Sequence, residues 1–402
     1  MTAMEKKDKN LNVPNLRFPE FSGEWKAVHL STIADIIGGG TPDTSVDEYW
    51  GGNIQWFTPS EIGKGKYAYL SDRTITEAGL KNSSAKLLPQ GTVLLSTRAT
   101  IGECSIATTE CTTNQGFQSL VAKENNVSSE FLYYIVAKIK REMLRRSCGS
   151  TFLEISANEL KKIHTNIPSK AEQEKLVSLL SLIDQRIETQ KKIIEKYESL
   201  IRGLTDTAFT IKSSIPLMNF SNLYKDAGEG GTPSTSNSEY YDGGTIPFIK
   251  IDDLMTKYLV THKDCITEQG MQKSSAWLIP SSSVIYSNGA TIGSIAINTY
   301  PVCTKQGILG IIPKDNVDVE YLYYFMTSVY FRKEIHRIIT EGTMKTAYLK
   351  DINKILCPLP DLATQKSIAN KLASVTKKIE LDKRTLSLLQ TQKKYLLSHL
   401  FI

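Results

Sequence analysis

Short apolar stretches bounded by Gly, Pro, Ser and Asn open each half of this chain, and long stretches with apolar residues three and four apart close it. NIQWF (53–57), TVLLS (92–96), TIPFI (245–249) and SVIYS (283–287) are too short for helices and end at turn formers, so they predict strands. Each half then passes to a helix: SSEFLYYIVAKIKREMLRR (128–146), capped by Ser128 or Ser129, and DVEYLYYFMTSVYFRKEIHRII (318–339). The aromatic triplets are expected to pack these helices on the sheets. Further on, Leu176, Leu180, Ile183, Ile187, Gln190, Ile194, Tyr197, Ile201 and Leu204 alternate by four and three, the spacing of a coiled-coil seam. Ile368, Leu372, Val375, Ile379, Asp382, Leu386, Leu389, Lys393 and Leu396 repeat that ladder 192 positions later, 368 minus 176. Both ladders place a polar residue, Gln190 or Asp382, at the middle step.

The halves are copies. GGTPDTSVDEYWGGNIQWF from Gly39 returns as GGTPSTSNSEYYDGGTIPFI from Gly230, an offset of 191. ITEAGL at Ile75 and ITEQGM at Ile266 keep it, as do SSAKLLP at Ser83 and SSAWLIP at Ser274, and ATIG at Ala99 and at Ala290. NQG at Asn114 matches KQG at Lys305, and FLYY at Phe131 matches YLYY at Tyr321. A period this long is a duplicated domain with its connector, beyond any solenoid repeat. The fold class is therefore α+β: two sheet-rich domains related by internal duplication and joined by two long helices. The expected divisions are a disordered tail over 1–15, sheet domains over 16–168 and 211–358, and spacer helices over 169–210 and 359–402. Because the second sheet domain begins where one long helix stops and ends where the other starts, the helices should run antiparallel. A helix from Glu172 to Leu204 spans roughly 50 Å at 1.5 Å per residue, comparable to about 15 base pairs at 3.4 Å each.

Composition narrows the field of functions. The chain has 402 residues, 41% hydrophobic and 22% charged, which suits two or three soluble domains. No apolar run reaches the roughly 18 residues of a membrane span, and MTAMEKKDKN lacks a secretory h-region, so a cytoplasmic location is expected. Cys104, Cys111, Cys148, Cys265, Cys303 and Cys357 form no CxxC pair, and five dispersed histidines form no HxxxH. Neither a metal site nor a disulfide framework is expected. Lys plus Arg exceed Asp plus Glu by 48 minus 42, a net charge of +6 that permits a nucleic-acid partner without demanding one.

RFPEFSGEW (17–25), the twin GGTPxTS…EY…GG segments, and AEQEKLVSLLSLIDQRI (171–187) with its counterpart ATQKSIANKLASVTKKI (363–379) resemble the specificity subunits of type I restriction-modification systems. The resemblance covers essentially the whole chain. It implies two target recognition domains, each reading half of a bipartite double-stranded DNA target, held by an antiparallel helical spacer. It further implies that two modification (methyltransferase) subunits dock on the spacer, bringing S-adenosylmethionine. Two restriction subunits, with ATP- and Mg-dependent activities, can join. No cofactor is expected in this chain, and no catalysis. The motifs agree by omission: there is no N/D-PP-Y/F, no Walker A, and no PD…ExK constellation. Gly38, Gly39 and Gly40 read as a turn, since no GxGxxG or following Lys-Ser/Thr makes them a phosphate loop. The competing readings are a free-standing bipartite DNA-binding regulator and a nuclease with an unrecognised site.

If the halves read different sequences, residues identical in both hold the fold or touch phosphates, and polar residues that differ are candidates for base edges. Thr41, Pro42, Thr44, Ser45, Tyr49, Ala99, Thr100 and Gly102 form the first group, with Thr232, Pro233, Thr235, Ser236, Tyr240, Ala290, Thr291 and Gly293. The second group pairs Thr58 with Lys250, Ser60 with Asp252, Arg98 with Gly289, and Asn114 with Lys305. Arg and Lys suit guanine, Asn suits adenine, and Asp can accept from cytosine. Lys64, Lys66, Arg73, Lys257 and Lys273 are candidate phosphate contacts.

Overall fold

The computed structural model describes residues 12–98, 100–149, 153–210, 215–289, 291–339 and 345–402. Ala99 and Ala290 of the duplicated ATIG segments, and the tail through Leu11, lie outside the described residues. The chain forms two compact units, residues 1–192 with 384–402, and residues 193–383.

In unit 1 the strands are β1 (Lys26–His29), β2 (Ala34–Gly38), β3 (Trp50–Phe57), β4 (Tyr67–Ala68), β5 (Arg73–Ile75), β6 (Val93–Leu95), β7 (Cys104–Ala107), β8 (Cys111–Thr113), β9 (Gln118–Ala122) and β10 (His164–Ile167). They make a five-stranded sheet ordered β2-β9-β6-β7-β4, a three-stranded sheet β5-β3-β8, and a β1-β10 ribbon. Between them stand α1 (Leu30–Ile33), α2 (Glu77–Lys81), α3 (Ser129–Arg146) and α4 (Ala157–Lys161), and α5 (Lys170–Phe209) follows. Unit 2 repeats the plan with β11 (Leu217–Asn219), β12 (Tyr224–Glu229), β13 (Ile246–Ile249), β14 (Tyr258–Leu259), β15 (Asp264–Ile266), β16 (Val284–Ser287), β17 (Ile295–Asn298), β18 (Cys303–Thr304), β19 (Ile308–Pro313) and β20 (Leu356–Pro358). Their orders are β12-β19-β16-β17-β14, β15-β13-β18 and β11-β20, strand for strand those of unit 1. Its helices are α6 (Glu268–Gln272), α7 (Val319–Thr327), α8 (Val329–Ile338) and α9 (Leu349–Ile352), and α10 (Leu362–Leu400) follows, its residues from Arg384 on belonging to unit 1 as those of α5 from Ile193 on belong to unit 2.

Local chemistry sets these boundaries. Ser128, not Ser129, caps α3, accepting from the Phe131 amide at 3.2 Å. Asp318 does the same for α7 through the Tyr321 amide. The stretch expected as one helix over 318–339 is two, α7 and α8. Ser328 is extended (φ −66°, ψ 155°) and its hydroxyl accepts from the Phe331 amide, so one serine ends α7 and caps α8. Gly39, Gly40, Gly230 and Gly231 sit where an added Cβ would fall about 2.1–2.3 Å from neighbouring atoms, so these glycines are required by close packing.

Each core lies between its five-stranded sheet and its helices. In unit 1, Val93, Leu95 and Leu120 meet Phe131, Leu132 and Ile135 of α3, Leu176 and Leu180 of α5, and Leu400 and Phe401 at the end of the chain. Phe401 stacks on Phe131 (centroids 5.5 Å apart) and stands edge-on to Trp25 (6.0 Å). In unit 2, Phe209 takes the equivalent place against Tyr321 and Phe325 (5.1 and 5.6 Å), with Ala369 and Leu372 of α10 in the same core. Within unit 1 the start of α5 pairs with the end of α10, as the Asp184–Lys393 ion pair records (2.5 Å). Within unit 2 the end of α5 pairs with the start of α10, where Glu198 meets Lys383 (2.7 Å). The two helices therefore run antiparallel in both.

Leu176, Leu180, Ile183, Ile194, Leu372, Ile379, Asp382 and Leu389 are buried, and Ile187, Gln190, Tyr197, Ile201, Ile368, Val375, Leu386, Lys393 and Leu396 are half-buried. Leu204 departs from the expected seam and is exposed. The buried positions pass instead to Thr205 and Phe209, because the helix end must aim Phe209 into the unit 2 core.

Candidate nucleic-acid interface

Three loops of unit 1 converge beyond the ends of the parallel pair β3 and β8. The Asn114 amide donates to Phe57 O at 3.0 Å, which sets Asn114 beside Thr58. The Thr97 amide donates to Gly116 O at 2.9 Å, which brings its neighbour Arg98 to the same place, and Thr100 is held close by through Ser96. The Thr41 hydroxyl donates to Gln115 Oε1, adding the GGTP segment. Unit 2 builds the cluster on the same two backbone bonds, Lys305 N to Ile249 O (3.0 Å) and Asn288 N to Gly307 O (3.0 Å), but there Thr232 Oγ1 accepts from the Gln306 backbone amide (3.4 Å). Thus Thr58, Ser60, Arg98, Thr100 and Asn114 gather in one unit, and Lys250, Asp252, Thr291 and Lys305 in the other.

Their partners differ. Thr58 donates to Glu61 and neighbours the Ser60 hydroxyl. Asn114 Oδ1 accepts from the Gly116 amide. Arg98 pairs with Glu154 at 2.8 Å while remaining 46% exposed, and Thr100 bonds Ser96. In unit 2, Lys250 pairs with Asp264 (2.8 Å), whereas Lys305 is exposed and no carboxylate pairs with it among the described residues. Gln115 and Gln306, exposed at the tips of these clusters, are further members: identical in the two copies, they lie in the matched NQG and KQG segments but are not candidates for base edges by the difference between copies.

The five candidate phosphate contacts divide. Arg73 is exposed on β5 with its guanidinium 3.5 Å from the centre of the Trp50 ring, a cation–π contact. Lys64 and Lys273 are exposed, the first beside α5, where Lys191 donates to its carbonyl, and the second at the end of α6. Lys66 and Lys257 require correction: their side chains are 6% and 4% exposed and fully engaged within the fold. Lys66 pairs with Glu130 (2.5 Å) and donates to Ser181 (2.7 Å) and Tyr134 (3.2 Å). Lys257 pairs with Glu320 and donates to Tyr324 (3.0 Å). Burial pulls the Lys257 ammonium down, but Glu320 and Tyr324 outweigh it and hold its pKa above the ordinary lysine value. Burial raises the Glu130 carboxyl, and Lys66 with Tyr67 overcomes that, holding it below the ordinary carboxylate range. A lysine buried and paired in this way is withdrawn from a phosphate at the surface.

Two copies of one fold, each offering a different set of polar side chains at the same loop cluster, define the class: a duplicated protein with two equivalent candidate binding sites. The comparisons with known proteins agree. The chain matches the type I restriction modification DNA specificity domain over residues 22–199 and again over 224–391. It is 30% identical over 369 residues to the MjaIX type I restriction enzyme specificity subunit of Methanocaldococcus jannaschii, covering 85% of each chain. The solved type I restriction-modification S subunit of M. genitalium superposes with a TM-score of 0.60 at 16% identity, over 97% of this chain and 99% of that one. A second solved chain, from work on complex assembly and conformational transition of the type I R-M system, gives 0.59 at 16% identity over 94% and 96%. These two show a shared fold. The chain belongs to the type I restriction-modification specificity family, whose members are non-catalytic DNA-recognition subunits. Among the described residues no helix is long and apolar enough to cross a membrane.

Proposed function

We propose that this chain reads a bipartite double-stranded DNA target, one half per sheet domain (16–168 and 211–358), and docks two modification subunits along its long helices (169–210 and 359–402). The observation that carries the reading is the duplicated loop cluster: the strands behind it are the same in both units, while Thr58, Arg98 and Asn114 are replaced by Lys250, Gly289 and Lys305. An invariant frame with variable polar tips is what two different half-sequences require, because frame and phosphate contacts position while base contacts specify. Arg73, Lys64 and Lys273 supply phosphate contacts at the margins. The modest net charge of +6 leaves part of the phosphate-binding surface to the partners. S-adenosylmethionine belongs to the modification subunits, ATP and Mg to restriction subunits where these join, and the whole acts in the cytoplasm.

The test is affinity for DNA carrying the target, with and without the modification subunit. A specificity subunit gains most of its affinity in the complex. Full specific affinity of the isolated chain would favour a free-standing regulator.

A further inference from the structure

Both units hold the same polar node, a buried lysine on a partly exposed glutamate, and its position suggests a task. Lys66 stands just before β4 and Lys257 just before β14, the edge strands of the two five-stranded sheets. The offset is again 191, 257 minus 66. From the sheet edge, Lys66 reaches Glu130 in the first turn of α3 and Ser181 on α5. Tyr67, next along the edge, also donates to Glu130, and Tyr134 donates to Asp184 of α5 at 2.7 Å. Asp184 in turn pairs with Lys393 of α10. In unit 2, Lys257 and Tyr258 both meet Glu320 in the first turn of α7. There the Tyr324 hydroxyl continues to Thr376 of α10 at 3.0 Å. One lysine in each unit thus ties sheet edge, packing helix and long helix together.

Burying an ion pair costs desolvation that its attraction scarcely repays, so apolar residues could hold these layers as firmly. What an apolar contact does not supply is direction. Hydrogen bonds at fixed lengths allow one angle between sheet and helix, whereas apolar side chains tolerate repacking. We propose that Lys66 and Lys257 are positioning residues for DNA reading: each fixes the angle of its recognition sheet to the long helices, and thereby the gap between half-targets that the protein accepts. This rests on the bipartite reading above. One base pair added to the gap moves a half-target by about 3.4 Å and turns it by about 35°, a change a rigidly held sheet cannot follow.

The experiment uses the full chain in complex with its modification subunit. Methylation rates are measured on DNA carrying the mapped target with its natural gap, and with one base pair added or removed. The variants are Lys66→Met with Glu130→Gln, and Lys257→Met with Glu320→Gln, which remove both charges of a node and leave neither buried alone. Each pair is made separately, so a folding failure in one copy leaves the other to decide. The preference for the natural gap should fall by roughly tenfold, equivalent to about 1.4 kcal/mol, with both half-sequences unchanged. Equal loss on all three DNAs, with the gap preference intact, would show a merely structural node and overturn the proposal. If the wild-type complex methylates a continuous target, the bipartite reading itself is overturned and the proposal goes with it.

Discussion

Replacing Phe401 with alanine tests how the first domain is closed. Phe401 is 4% exposed, between Phe131 (0%) and Trp25 (2%), and its counterpart Phe209 is fully buried among Tyr321 and Phe325. Truncating a buried phenylalanine removes its transfer free energy and leaves a cavity, together about 3–5 kcal/mol. Rigid aromatic rings on two sides of Phe401 hinder collapse, which places the loss in the upper part of that range. Amide hydrogen exchange reads the two units separately. Phe401→Ala should speed exchange in β6, β7 and β9 by roughly a thousandfold to a few thousandfold, at 1.4 kcal/mol per tenfold, with a smaller effect in β16, β17 and β19. Phe209→Ala should reverse the pattern. A change below about 1 kcal/mol, no more than an average point mutation causes, or an equal change in both units for both variants, would show that Phe401 does not close the first core.

Inserting four residues after Gln190 lengthens α5 by roughly 6 Å at 1.5 Å each, and methylation mapping should show the half-targets one or two base pairs further apart with their sequences kept. Glu130, held below the ordinary carboxylate range by Lys66 and Tyr67 against burial, contributes stability above that range which is lost as pH falls through the lowered value. Urea midpoints at pH 7 and below pH 4 should therefore differ less in Glu130→Gln than in the wild type. Affinity of the complex for its target should fall by orders of magnitude between about 50 and 200 mM salt, and a flat response in filter binding would show that phosphate contacts contribute little.

The sequence made the architecture legible where a pattern repeats. The ladders from Leu176 and Ile368 carry the three-and-four spacing that only a helix presents on one face, and the offset of 191 marks two copies of one fold. The break at Ser328 was hidden because the apolar period runs through it, while a single cap decides it. Phe209 and Phe401, 192 positions apart, lie past the seam pattern, and only the tertiary core gives them meaning. Lysine is usually solvated, so Lys66 and Lys257 read as phosphate contacts. Their partners Glu130 and Ser181 stand 64 and 115 residues from Lys66. Yet lysine, tyrosine and glutamate recur in both copies as Lys66/Lys257, Tyr67/Tyr258 and Glu130/Glu320, and identity between copies marks the frame. The loop cluster was legible in membership, since the copies differ there, but not in hydrogen bonding: Glu154, which holds Arg98, carries no motif.

On the proposed function, each domain reads its own half of one target. Genome-wide mapping of methylated adenines, in cells expressing this chain with its modification subunit, tests it directly when repeated with Arg98→Ala and with Lys305→Ala. Two short half-sequences separated by a fixed run of unread base pairs are expected. Arg98→Ala should relax one position of one half, at a cost of about 1–3 kcal/mol, and Lys305→Ala one position of the other. A continuous motif, or two variants that relax the same half, would contradict it.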